Sequence, residues 1–500
     1  MAVFYNAGEE KIRPGIYQRF VNIGQTVQGE ARDGICAIPV QSSWGPLGKV
    51  VTNTNALQLT ETYGAGTYGA GYTVPAAAAM FEGGAQTVYT YRLGTGGTQA
   101  TKSITCPAPT VAEGATPGTA GSMTITAKYP GTLPISVAVQ NKLGSATMKQ
   151  FLVYVGTTQV ESFDFQSNAS SGQESVTVTT NEGTNLAAAA AASNYVTVTA
   201  SATAPSVVPI TAVTAGALTG GANPTVTNAS YSAAFQALEP YYYNTIALDV
   251  NDDETLTLSN LLQQYLDNAY KYGKLGIAVV GEPTTVDFQT RLQHAQGFND
   301  AKVVYLGGGY MVGTTSRDGV LGICYTAGVI ASTPSNSGIT HTVIGDATDI
   351  CESLTYSQYE DAILAGMLMV SLSPDGTVWY DSGIDTLTNI TDDTMDAGWK
   401  KIRRVKVRFE LLDRLDRALS PKVGKVSADS DGVADIIQSG QRVLDLMANN
   451  EGKLMPGASF IEDPSNPFTT DSAWFIIQAD DVDSLEKIYL QYQFRYSQNV

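Results

Sequence analysis

The chain has 500 residues, 43% hydrophobic and only 15% charged, with a formal net charge of −18. That length holds about two to four domains, and the acidic balance argues against nucleic acid or an anionic membrane surface as a partner. Four cysteines (Cys36, Cys106, Cys324, Cys351) lack C-x-x-C spacing and no apolar stretch reaches membrane-spanning length, so buried free thiols and no membrane insertion are expected.

The opening MAVFYNAGEEK has no basic region followed by an apolar run, so the reading expects no secretory leader and synthesis in the cytoplasm. Residues 1–25 are polar around Arg13-Pro14-Gly15, which suits an extended arm with a bend. Ile35 to Val40 reads as a short buried strand closed by Trp44-Gly45-Pro46. Thr54 is placed to cap a helix through Tyr63, and Pro75 to open another through Phe81. Thr87 to Leu93 is the next strand, so residues 26–98 begin an α/β domain.

Between 99 and 240 only 10 of 142 residues are charged, about half the density of the whole chain. Short β-prone runs recur there at Met123–Ala127, Ile135–Gln140, Phe151–Val155, Ser175–Thr180, Tyr195–Ala200 and Val207–Val213, which predicts an inserted all-β region. The α/β pattern resumes over 241–395. Helices are expected at Leu256–Tyr272, Phe288–Gln296, Leu321–Ile330 and Tyr356–Ala365. Strands are expected at Gly276–Gly281, Val303–Leu306 and Thr342–Ile344, with a hairpin of Met367–Ser373 and Val378–Tyr380.

Residues 396–485 read as an α+β domain. Lys400 to Arg408 (KKIRRVKVR) concentrates cations, and Val405, Val407 and Phe409 alternate with Lys406 and Arg408, so the run passes from helix into strand. A helix from Gly432 to Asn450 follows, with Val433, Ile436, Ile437, Val443, Leu444 and Met447 on one face. Asp435, Gln438, Arg442 and Asp445 lie on its polar face, and Asp429 reads as its cap rather than as part of a calcium loop. Ser459–Ile461 and Phe475–Gln478 are strands.

Residues 486–500 form a separate arm. With period two, Ile488, Leu490, Tyr492, Phe494 and Tyr496 fall on one side of a half-buried strand. Burying such side chains returns about 7–15 kcal/mol, against about 10–20 kcal/mol of backbone entropy. The strand therefore needs a waiting sheet edge, in its own body or in another copy.

Chemistry is sparse. Only His294 and His341 are present, and neither has a partner at metal-ligand spacing. Asp381-Ser382-Gly383 loosely resembles a subtilase aspartate motif, without the accompanying His-Gly-Thr or Gly-Thr-Ser. Gly64-Ala65-Gly66-Thr67-Tyr68-Gly69 satisfies GxGxxG but follows a helix rather than a strand, so it reads as a loop. No cofactor, metal or catalytic residue is expected. The competing enzyme reading, an α/β hydrolase with a β-rich binding module, rests on Ser382 and His341; an adhesin would need secretion.

A set of short pieces in order resembles the contractile tail sheath proteins of myophages, PBSX-like prophage particles and R-type bacteriocins. They are Arg13-Pro14-Gly15-Ile16-Tyr17, Trp44-Gly45-Pro46-Leu47, Gly83-Gly84 with Val88-Tyr89-Thr90-Tyr91-Arg92, and Ala127-Lys128-Tyr129-Pro130-Gly131-Thr132. Leu218-Thr219-Gly220-Gly221, Tyr243-Asn244-Thr245-Ile246-Ala247-Leu248, Ala327-Gly328-Val329-Ile330-Ala331 and Asp385-Thr386-Leu387-Thr388 follow. The last are Trp399-Lys400-Lys401-Ile402-Arg403, Val423-Gly424-Lys425-Val426 and Glu486-Lys487-Ile488-Tyr489-Leu490. The match lapses over roughly 145 to 215, and Leu133-Pro134 stands where the family often has Gly-Asn.

The resemblance implies a mixed α/β core with an inserted all-β domain and a C-terminal α+β domain completed by strands from neighbouring subunits. It implies stacked hexameric rings in an open helical polymer around an inner tail tube protein, ended by baseplate and tail terminator proteins. Arg13 to Tyr17 and the Ile488–Tyr496 stripe would be the exchanged arms. Lys400, Lys401, Arg403, Arg404 and the helix face at Asp435, Gln438, Arg442 and Asp445 would touch the tube. The particle would be a virion tail or a phage-tail-like particle assembled in the host cytoplasm, without direct contact to nucleic acid.

Overall fold

A computed structural model describes residues 3–4, 17–18, 31–106, 121–145, 147–167, 182–200, 210, 212–252, 255–391, 395–469 and 471–494. The chain divides into two compact units, one of residues 32–407 with 483–500, the other of residues 408–482 with 1–31.

The larger unit is built on a seven-stranded sheet. Its strands lie in the order Met367–Leu368, Val303–Leu306, Ile277–Gly281, Thr245–Ala247, Ile35–Val40, Thr87–Arg92 and Val50–Asn53. Every neighbouring pair is parallel except the last, where Val50–Asn53 runs antiparallel along the edge. The runs IAVVG and VVYL are buried at every residue, as a parallel sheet covered on both faces requires.

Alternate residues of these strands face different helices. Ala37, Ile246, Ala278, Val280, Val303 and Tyr305 join a core with Phe235, Leu262, Leu266, Leu292 and Ala362, drawn from helices Asn228–Leu238, Thr257–Lys271, Phe288–Phe298 and Tyr356–Leu364. On the other face, Cys36 and Thr245 reach the Ala327 carbonyl of helix Val320–Ser332. That helix packs so closely on helix Val74–Glu82 that a Cβ on Gly328 would sit 2.2 Å from the Met80 carbonyl oxygen. A Cβ on Gly83 would sit 2.1 Å from the Tyr325 carbonyl oxygen. Small residues there are a steric requirement.

Two antiparallel sheets occupy the segment read as β-rich. One orders Thr158–Gln166, Met148–Val155, Ile135–Asn141 and Val213–Ala217; the other orders Val196–Ala200, Gly121–Ala127 and Thr101–Cys106. They share an apolar core that includes Met123, Ile125, Val137, Phe151, Val153 and Phe165. Within it Lys149 donates to the Glu182 carboxylate at 2.8 Å, both nearly fully buried. Ser167 and the Ile210 backbone N–H donate to the same carboxylate. The expected strand at Ser175–Thr180 lies outside the described residues, as does most of Val207–Val213.

The smaller unit holds most of helix Ile402–Leu419, helix Ser430–Asp445 with a π turn at Leu446–Asn450, and the antiparallel pair Ser459–Glu462 with Phe475–Gln478. The Asp429 side chain accepts from the Gly432 N–H, so it caps the second helix as expected.

Several expectations are corrected. Lys400–Arg408 does not pass into a strand: a single helix runs from Ile402 to Leu419. The β-branched alternation misled, because Ile402, Val405 and Phe409 also satisfy helical spacing and all three are buried. Asn55, not Thr54, caps the first helix, accepting from the Gln58 N–H at 2.9 Å. Thr342–Ile344 is no strand but holds a single bridge from Val343 to Trp379. Met367–Leu368 joins the large sheet, leaving only Val370–Leu372 to pair with Val378–Tyr380. Residues 487–494 form no strand within the chain.

Candidate assembly surface

At the carboxyl ends of Ile35–Val40 and Thr245–Ala247 the strand order reverses, the place where open α/β sheets receive ligands. Here the chain's own side chains fill it. Asp249 is fully buried; its carboxylate accepts from Thr73 Oγ1 at 2.6 Å, Tyr231 Oη at 2.7 Å and Gln41 Nε2 at 3.3 Å. Tyr68, from the GxGxxG loop, donates to the Asp249 backbone carbonyl. Burial pushes the Asp249 carboxyl up to about 6, with the hydrogen bonds pulling the other way.

Both histidines contact other side chains of the chain. His294 Nδ1 lies 2.6 Å from Glu282 Oε2, which also accepts from Tyr305. His341 stacks on Trp379 with centroids 4.0 Å apart, and Asp381 accepts from Ser371. Among the described residues no hydrogen bond joins His341 to Ser382 or Asp381, and no group of three or more His, Cys, Asp or Glu is arranged to hold a metal ion. Among the described residues no helix is long and apolar enough to cross a membrane. All four cysteines are free; Cys36, Cys106 and Cys324 are buried and Cys351 is half-buried.

The exposed chemistry lies elsewhere. The segment from Lys487 to Phe494 takes no sheet partner, and both of its sides are open to solvent. Ile488 is 71% exposed, Leu490 70%, Tyr492 73% and Phe494 93%. Tyr492 and Phe494 stack nearly parallel, 13° apart, as side chains two residues apart on one side of an extended chain can. Tyr496 lies outside the described residues, as do Arg13, Pro14, Gly15 and Ile16. Tyr17 falls in a two-residue strand, Tyr17–Gln18, parallel to Val3–Phe4.

The cationic run engages acceptors of its own chain. Lys400 Nζ donates to the Thr388 carbonyl, and buried Lys406 to the carbonyls of Ile330 and Thr333. Lys401 pairs with Asp483 at 2.8 Å and Glu486 at 3.0 Å. The Arg404 guanidinium lies against Gly398, and Arg403 Nε is buried. On helix Ser430–Asp445, Gln438, Arg442 and Asp445 are exposed, while Asp435 is half-buried and pairs with Lys422.

Besides the Asp249 and Glu182 clusters, sequence reasoning missed two more. In the smaller unit, Arg414 donates through both terminal nitrogens to Glu451 at 2.8 Å, and Lys453 bridges Glu451 and Glu410. Burial pushes the Glu451 carboxyl up, but Arg414 and Lys453 outweigh it and hold it below the usual range. The second cluster is the meeting of Lys401 with Asp483 and Glu486. The i,i+4 spacing of Glu410 and Arg414 is the one signal in the sequence.

Residues 224–380 match the phage tail sheath protein central domain. The uncharacterized protein YqbK of Bacillus subtilis (strain 168) is 24% identical over 508 residues, covering 98% of this chain and 99% of its own. A sheath tail protein of Listeria innocua superposes with a TM-score of 0.65 at 17% identity, over 91% of this chain and 96% of its own. The helical sheath of the anti-feeding prophage in its contracted state gives 0.53 at 10% identity, over 97% and 99%. The mixed α/β architecture of several sheets is thus one seen in sheath proteins. Residues 224–380 thus resemble a phage tail sheath protein central domain, and the fold around them is similar to that of a sheath tail protein.

Proposed function

We propose that the chain is the structural subunit of a contractile tail sheath, polymerising as stacked hexameric rings around an inner tube and contracting to drive that tube through a target cell envelope. One observation carries the reading: in a chain with a sheath central domain, an apolar extended segment at 487–494 leaves its own body unpaired. Monomeric proteins rarely leave such a stripe in water. Main-chain hydrogen bonds to the sheet of an adjoining copy would satisfy it, with alternate side chains fixing register. Repeated from copy to copy, this contact is heterologous and builds an open helix.

In this reading residues 26–98 and 241–395 are the sheath core, 99–240 an outward-facing insertion, 396–485 the C-terminal α+β domain and 486–500 the donated arm. Arg13 to Tyr17 serves as the second arm. Asp435, Gln438, Arg442 and Asp445 face the tube; Lys400, Lys401, Arg403 and Arg404 contribute less, since Lys400 and Lys401 are engaged within the chain. Baseplate and terminator proteins close the polymer, which belongs to a phage tail or phage-tail-like particle assembled in the host cytoplasm. The role is structural, without cofactor or catalysis.

Negative-stain microscopy of the purified chain tests this. Long tubes or stacked rings are expected from the intact protein, and a folded monomer from a chain lacking residues 486–500. Normal tubes from the truncated chain would refute strand donation.

A further inference from the structure

The exposed stripe has a fixed root. Lys401 opens helix Ile402–Leu419 and is bridged to Ile384 through its backbone. Its ammonium meets two carboxylates that precede the stripe, Asp483 at 2.8 Å and Glu486 at 3.0 Å. Thr340 and Ser484 both donate to the second oxygen of Glu486, at 3.3 and 3.2 Å. The Thr340 hydroxyl is itself held by the Gly383 N–H at 2.9 Å. Two side chains far apart in sequence, Lys401 and Thr340, thus converge on the four residues where the extended segment leaves the body.

We propose that Lys401, with Asp483, Glu486 and Thr340, forms a clamp that holds the root of the C-terminal arm, so that the donated segment begins at Lys487 and departs in a fixed direction. The clamp rests on the sheath reading for its purpose, but its existence does not. An arm free from Val482 onward would sample many directions and lose more entropy on docking than one held at Glu486. Lys401 is therefore a positioning residue. The pairs are partly exposed, with side chains 22–35% accessible, so the clamp holds by convergence rather than by deep burial. Burial pushes the Asp483 carboxyl up, yet Lys401 outweighs it and holds the group below the usual range.

Two variants of the full chain test the clamp. Lys401→Met removes the cation and keeps the stem. Gly338→Cys with Ser484→Cys replaces the clamp by a disulfide: a Cβ on Gly338 would lie 4.0 Å from that of Ser484, within disulfide span. In dilute, unassembled protein, a glutamyl endopeptidase should cleave after Glu486 about five- to tenfold faster in Lys401→Met than in the parent. The oxidised double cysteine, combined with Lys401→Met, should restore the parent rate. Equal rates for Lys401→Met and the parent would overturn the clamp, whether or not the parent polymerises. Where it does polymerise, Lys401→Met should raise the protein concentration needed for tubes severalfold, and the disulfide should reverse this. Unchanged assembly of Lys401→Met, or its abolition by the disulfide, would overturn the positioning role.

Discussion

Asp249 places a carboxyl where water cannot reach it, and its stability contribution depends on pH in an unusual direction. Burial raises it to about 6, whereas the unfolded chain leaves it near its ordinary 3.8. The folded state therefore binds the proton more tightly. Its stabilising contribution is complete below about pH 4 and lost as pH rises through about 6, a swing of about 3 kcal/mol. Urea midpoints at pH 4 and pH 7 should show the parent losing stability relative to Asp249→Asn across that window. Parallel curves would contradict the assignment. Gly328 makes a simpler case: its missing Cβ is the space occupied by the Met80 carbonyl, backbone against helix. Gly328→Ala should cost at least about 2 kcal/mol, read as a lowered urea midpoint with unchanged slope.

Helix Ile402–Leu419 carries a buried ion network on its second half. Arg414 is nearly fully buried against Glu410 and Glu451. Removing it in Arg414→Met leaves two carboxylates with Lys453 alone and should cost about 3 kcal/mol or more by thermal unfolding. A change within 0.5 kcal/mol would mean that the carboxylates find water instead. The same helix shows what the sequence could convey. Apolar runs such as ICAIPV, IAVVG and VVYL announced their strands because burial on both faces forbids polar residues. The helix start was misread because Val405 and Phe409 fit both periods, and only packing decides between them. Strands Thr101–Cys106 and Thr158–Gln166 were missed because their Thr, Ser, Lys and Glu residues face solvent as readily as a loop's do. The Ile488–Phe494 stripe was legible as a period-two pattern, whereas its exposure was not, since a pattern does not say which sheet completes it. The clamp was invisible because Thr340, Lys401, Asp483 and Glu486 are brought together only by the fold.

At the scale of the whole molecule, each chain ends its described part in a stripe that water should not keep. A body with buried cores in the large sheet and in the β-rich region should fold without residues 486–500. Removing residues 487–500 should move the thermal midpoint by less than about 2 °C, since the described residues 487–494 are exposed throughout. A larger drop would mean that the arm holds its own subunit together. The most direct test of donation is a high-resolution cryo-EM map of the polymer formed by the intact chain. The account predicts continuous density for residues 487–494 as a strand hydrogen-bonded to the sheet of an adjoining copy. Density that turns back after Glu486 and lies along the same subunit would contradict it.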